Sequence, residues 1–160
     1  MKTFIFTFII IISTSMAKAQ GNSTNTFDFW IGTWEANWSG SAKGVNTISK
    51  ILKSNIVEEN FVSNDKSFVG KSWSVYDTTA KIWRQTWVDD SGAYLLFTGG
   101  QEGDKVILNM NNKTVKNGKT VSMRMIFYNI KKESFDWDWQ SSEDEKNWKS
   151  VWLINYKRKN

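Results

Sequence analysis

Apolar and polar residues alternate along most of this chain in short runs, each closed by turn-forming residues. The runs cover residues 33–38, 45–52, 56–62, 67–77, 81–88, 93–99, 105–111, 120–129, 134–141 and 148–157. Successive side chains of a strand point to opposite faces, so this alternation predicts the strands of a sandwich or barrel. Connectors such as 39–41, 53–55, 78–80, 89–92 and 116–118 suit antiparallel hairpins and are too short for helical crossovers. An open sandwich would need long crossover connections, and none is visible. With no proline to blunt an edge strand, closing the sheet is the more direct way to abolish its edges. The pattern predicts an all-β fold, a single up-and-down antiparallel β-barrel of about ten strands. One short helical turn at 27–31, capped by Thr26 or Asp28, would act as a lid or plug.

The alternation is clearest where the strands are aromatic. Trp83, Gln85 and Trp87 share one face, which Asp89 continues, and Phe135, Trp137 and Trp139 oppose Asp136, Asp138 and Gln140. In the last run Trp148, Ser150, Trp152, Ile154 and Tyr156 fall on one side.

Residues 1–19 break the pattern. A basic start at Lys2, an apolar run from Phe4 to Ile12 and the segment Ala17-Lys18-Ala19 read as a secretory signal peptide cleaved near Ala19. The apolar run falls well short of the ~20 residues needed to span a bilayer as a helix. The expected organisation is a signal peptide over 1–19, a flexible polar leader over 20–26 and one barrel domain over 27–158. The mature protein would be periplasmic or extracellular, with no membrane span.

Composition then removes reaction classes. Of the 160 residues none is Cys or His, so there is no disulfide, thiolate nucleophile, zinc ribbon, His-based triad or histidine-ligated haem. Carboxylates, Lys, Tyr, Ser and Thr are left for any catalysis. The whole chain has 21 basic and 16 acidic residues; removing 1–19 takes away Lys2 and Lys18 and no acid, which lowers the net charge from +5 to +3. The remaining basic residues are scattered, and the one cluster, Lys157-Arg158-Lys159, reads as a solvated tail, so no nucleic-acid partner is expected.

The string FDFWIGTW at 27–34 resembles the opening of calycin-type barrels, in which a Gly-x-Trp follows a short helical turn at the start of the first strand. Taken with Trp83 to Asp89 and Gly92, Arg124-Met125, and Ser142 to Trp148 leading to Tyr156-Lys157-Arg158, it is similar to a family of secreted, lipocalin-like bacterial proteins. The resemblance implies a barrel and an exported setting and brings no reaction with it. More distant nitrobindin-like barrels hold haem through a proximal His, which this chain lacks, so a non-haem barrel with no cofactor is expected.

Ten Trp are the largest anomaly. They either fill and plug the barrel or wall a site for a flat or apolar ligand, with indole N–H groups as orienting donors. Gln85, between Trp83 and Trp87, must join an internal network or meet a polar ligand atom if it is buried. Arg124 shares a face with Ile126 and Tyr128; facing the lumen it would clamp a carboxylate or phosphate, and facing out it is a surface charge. Glu58-Glu59 and Asp89-Asp90 are sequence neighbours that point to opposite faces and cannot act as pairs. Asp136 and Asp138 fit an outward polar face, and Ser142-Glu143-Asp144-Glu145 lacks the ligand spacing of a calcium loop, so no metal site is predicted.

The leading expectation is a barrel that binds a small apolar or aromatic molecule through Trp83, Gln85, Trp87, Arg124, Trp137 and Trp139. One alternative is an enzyme using the lumen as an isomerase, cyclase or hydrolase, with proton transfer at Asp89, Glu35 or Tyr128. The other is carbohydrate or surface recognition through an outward patch of Trp.

Overall fold

The structure is a computed structural model, and it describes residues 22–159; the expected signal peptide lies outside the described residues. Within the described residues eleven strands form: β1 (Gly32–Trp38), β2 (Ser41–Ile51), β3 (Ile56–Ser63), β4 (Val69–Asp77), β5 (Ile82–Asp89), β6 (Tyr94–Glu102), β7 (Lys105–Met110), β8 (Thr114–Lys116), β9 (Lys119–Tyr128), β10 (Ser134–Ser142) and β11 (Lys149–Arg158). All described pairings are antiparallel. Neighbours in sequence pair from β1 through to β7; β7 pairs β9, β9 pairs β10, β10 pairs β11, and β11 returns to β1. Ten strands thus close a ring with no free edge, the predicted barrel.

β8 is the strand that alternation did not predict. Its three residues are all exposed, so no buried face marks it. It pairs with the start of β9 through a two-residue turn in which Asn117 (φ 52°) and Gly118 (φ 74°) are both left-handed. That geometry matches the right-handed twist of a hairpin and favours an Asn-Gly pair.

The core is the barrel interior. Trp34 and Ala36 of β1, Ile48 of β2, Val57 and Phe61 of β3, Leu108 of β7 and Phe127 of β9 are all buried on the inner face. Period two explains most of this, but β11 departs from it. The β10–β11 register shifts after Trp139, which pairs Trp152, so that Gln140 pairs Ser150 and Val151 is an extra residue. Such a bulge reverses parity. Trp152, Ile154 and Tyr156 point inward, whereas Trp148 and Ser150 lie outside, which corrects the single aromatic face expected for 148–156.

One end of the barrel is stoppered by the short helix Asp28–Trp30, the turn expected there. Phe27 stands edge-on to Trp83 at 4.8 Å between centroids, and Trp30 stands edge-on to Phe127 at 5.2 Å. Where it is described, the segment leading into it is hydrogen-bonded to the barrel. Trp83 Nε1 donates to Ser23 O at 3.0 Å and Tyr76 Oη donates to Asn22 O at 3.2 Å. Arg158 also belongs to this closed end, so the C-terminal basic cluster is not simply a solvated tail. Its guanidinium donates to Ile31 O and Lys132 O, both at 3.0 Å.

Candidate functional site

Above the Phe27–Trp30 plug the lumen holds a cavity of about 210 Å³. Its deep wall is fully buried and includes Trp30, Phe61, Phe97 and Ile154. Nearer solvent it is lined by half-buried Phe68, Trp87, Leu95, Trp137, Trp139 and Trp152. Strand pleating places these rings. Trp137 and Trp139 are two residues apart on β10 and lie parallel, 5° between planes and 6.4 Å between centroids, with Trp152 edge-on to Trp137 at 5.8 Å. Trp87 pairs Ser72 in register and its indole reaches diagonally across to Gly70, where a Cβ would overlap the six-membered ring of the indole. The glycine is what lets Trp87 lie across β4.

Four of the six residues expected to bind ligand meet in this cavity: Gln85, Trp87, Trp137 and Trp139. Trp83 shares their face but sits one step deeper, packed against Phe27 and hydrogen-bonded to Ser23, so it belongs to the plug and does not line the cavity. Arg124 is on the outside. Met123, Met125 and Phe127 take the buried face of β9, which turns Arg124 outward, with its guanidinium carbon 4.0 Å from the Trp148 ring centroid and its Nε donating to Gln140 Oε1 at 2.8 Å. It cannot clamp a ligand in the lumen.

Sequence reasoning missed a buried polar cluster built around Glu59 on β3. Val57, Glu59 and Phe61 share the inward face, so this carboxylate is 8% exposed among apolar neighbours. Oε1 accepts from Asn46 Nδ2 at 2.7 Å and Oε2 accepts from Ser72 Oγ at 2.6 Å. Burial pushes its pKa up to about 6 against the lowering effect of those two bonds. Asn46 Nδ2 also donates to Tyr156 Oη at 3.3 Å, and burial, then the Glu59 charge, push that phenol well above its ordinary range. Gln85 Nε2 donates to Ser74 Oγ at 3.0 Å and to Ser72 Oγ at 3.3 Å. Among the described residues three buried polar atoms find no protein partner: Gln85 Oε1, Asn46 Oδ1 and Trp30 Nε1. The signal for Glu59 was legible as an acid alternating with Val57 and Phe61. Glu58 and Glu59 do face opposite ways: Glu58 accepts from Trp73 Nε1 at 3.1 Å on the outer surface.

The three groups expected to carry proton transfer do not converge. Asp89 lines the cavity, but its carboxylate is engaged by Trp87 Nε1 at 2.9 Å and by the backbone N–H groups of Ser91 and Ala93. Burial acts to raise its pKa, and the hydrogen bonds from Ser91, Trp87 and Ala93 together outweigh it and hold it below the usual value. Glu35 lies between inward Trp34 and Ala36 and so faces out. Tyr128 is opposite Asp136 on the outer face of the β9–β10 pair.

Asp136 and Asp138 also take the outer face of β10, as expected, though Asp138 is itself buried there. Asp136 accepts from Asn129 and Asn155, and Asp138 accepts from Gln140 and Ser150. Asp144 is a turn residue, accepting from Ser142 and from the backbone of Lys146 and Asn147. Among the described residues no cluster of three or more acids could hold a metal ion, and no helix is long and apolar enough to cross a membrane. The Trp patch required for carbohydrate recognition does not form. Of the ten Trp, Trp30, Trp34 and Trp83 are fully buried, five more pack on the core, and only Trp73 and Trp148 stand outside.

Fold and cavity define a closed antiparallel β-barrel with an aromatic, partly acidic lumen. No protein-family model and no curated protein matches the chain.

Proposed function

We propose that this chain is an exported, calycin-type barrel that binds a small, mainly apolar or aromatic molecule in its lumen, without haem. The observation that carries the reading is the cavity of about 210 Å³, which keeps open space among rings that could have packed it shut. Packed interiors leave few voids larger than a water molecule, and an apolar cavity of ~150 Å³ already accepts benzene. The space fits one ring with a short substituent. Isothermal titration with neutral single-ring compounds such as 2-phenylethanol and indole tests this. Wild type should bind members of the panel, and Leu95→Trp, which fills the cavity, should fold and bind none of them. Absence of binding to wild type, or unchanged binding by Leu95→Trp, overturns the reading.

A second reading, catalysis in the lumen, is favoured by one observation: Glu59 is a buried carboxylate in the cavity with its pKa raised toward neutrality, as a general acid or base requires. Recovery of a bound molecule chemically unchanged after long incubation with stoichiometric protein counts against it. Conversion that Glu59→Gln abolishes establishes it.

A further inference from the structure

The lumen carries charge of only one sign. The chain has 21 basic and 16 acidic residues, yet among the described residues the charged side chains lining the cavity are Glu59 and Asp89, with no Lys or Arg in its wall. Asp89 is largely committed to Trp87, Ser91 and Ala93. Glu59 is not. Each of its oxygens accepts one described hydrogen bond, so each keeps acceptor capacity.

The surrounding network orients further acceptors. The single proton of the Ser72 hydroxyl goes to Glu59 Oε2, so Ser72 Oγ can only accept from Gln85. That fixes the Gln85 amide with Nε2 toward Ser72 and Ser74 and leaves Oε1, on a side chain 2% exposed, without a protein partner in the cavity wall. The same argument holds for Asn46, whose Nδ2 serves Glu59 and Tyr156 while Oδ1 stays unpaired. Glu59 and Gln85 both reach Ser72, so a carboxylate and a free amide oxygen stand close together in an aromatic chamber.

The side chains that flank this carboxylate thus leave acceptors open, and among the described residues no positive charge lines the cavity. An ammonium supplies three N–H donors and a cation, and aromatic faces attract it further. A neutral hydroxyl can donate to one acceptor only, and an anionic ligand would meet a like charge in a water-poor cavity. Trp30 Nε1, a buried donor of the wall without a protein partner, can point at the π face of a ligand ring.

We propose that the lumen selects a compact organic cation, a primary amine on a short chain from a single ring, with its ammonium held between Glu59 and Gln85. This rests on the small-molecule reading above and names its ligand class.

The test uses three probes matched in size: 2-phenylethylamine, 2-phenylethanol and 3-phenylpropionate, titrated calorimetrically at about pH 8, where Glu59 is ionised. The amine should bind about tenfold or more tighter than the alcohol, with the carboxylate weakest, a gap that a desolvated charge pair readily supplies. Glu59→Gln, shown to be folded by its circular dichroism spectrum and cooperative urea unfolding, should bring amine and alcohol to within about twofold of each other. Alcohol binding equal to or tighter than the amine overturns the cation proposal and leaves the binding-module reading standing. So does an amine preference that survives Glu59→Gln. If none of the three binds, both fail.

Discussion

The guanidinium carbon of Arg158 lies 4.1 Å from the centroid of the Trp34 ring, and this contact joins the end of the last strand to the start of the first. The same side chain donates to carbonyls on both sides of the seam, Ile31 before β1 and Lys132 before β10, and lies 3.6 Å from a Glu133 carboxylate oxygen. Trp34 Nε1 in turn donates to Trp30 O at 2.7 Å, so the plug, the first strand and the last strand are held by one connected set. A planar fork that stacks and donates in two directions is a guanidinium property that an ammonium does not reproduce.

Arg158→Ala should therefore destabilise the barrel by about 2–3 kcal/mol in urea unfolding, combining a partly desolvated cation–π contact with two charge-assisted bonds. Arg158→Lys should recover less than half of that loss. A lysine variant as stable as wild type would show that charge alone suffices and that the stacked geometry contributes nothing.

Glu59 sets a pH dependence opposite in sign to ordinary acid denaturation. Its pKa is about 6 in the fold against an ordinary 4.5, so the native state binds the extra proton between those values. Stability from this group is complete below about pH 4.5 and is lost as pH rises through about 6, a total of about 2 kcal/mol by linkage. Carboxylates whose pKa is lowered, among them Asp65 at about 2, act in the other direction and lose their contribution as pH falls through their folded values. Those residues are common to wild type and Glu59→Gln, so the difference between the two proteins isolates Glu59. Urea midpoints across pH 4 to 8 should show the Gln variant gaining on wild type as pH rises. A constant difference would mean that Glu59 titrates normally.

Gly70 and Trp87 form a pair in which one residue makes room for the other. Gly70→Ala forces the indole off β4, at a cost of about 1–3 kcal/mol for overpacking, and disturbs the cavity wall that Trp87 forms. Trp87→Leu removes the clash, so the double variant should be more stable than the sum of the two single losses predicts. A double-mutant cycle in thermal or urea unfolding reads this directly. Strict additivity would show that the indole has another place to go.

Much of the architecture lies in local pattern. Alternation located all ten ring strands, because a half-buried strand writes its two faces into neighbouring residues. β8 escaped for the converse reason, as Thr114–Lys116 has no buried face to write. The aromatic faces of β5 and β10 could be read as faces, and Glu59 could have been read as an acid in an apolar row. Which face is inward is a different kind of information. Arg124 fell outside because the β7 and β10 neighbours of β9 bury its methionine face, a choice made by closure of the sheet and invisible within one strand. Trp148 and Ser150 turned outward because Val151 bulges against Trp139 and Gln140 of β10, partners on another strand. Trp83 went to the plug because the chain before β1 folds back over that end of the barrel. The amino-acid sequence determined an all-β chain, its strands, the alternation of their faces and the absence of His and Cys chemistry, since these follow from residues in order. The tertiary structure alone decided that Glu59, Gln85 and the Trp137–Trp139 pair share one chamber and that Arg158 closes on Trp34, since those meetings are made by strands brought together from distant parts of the chain.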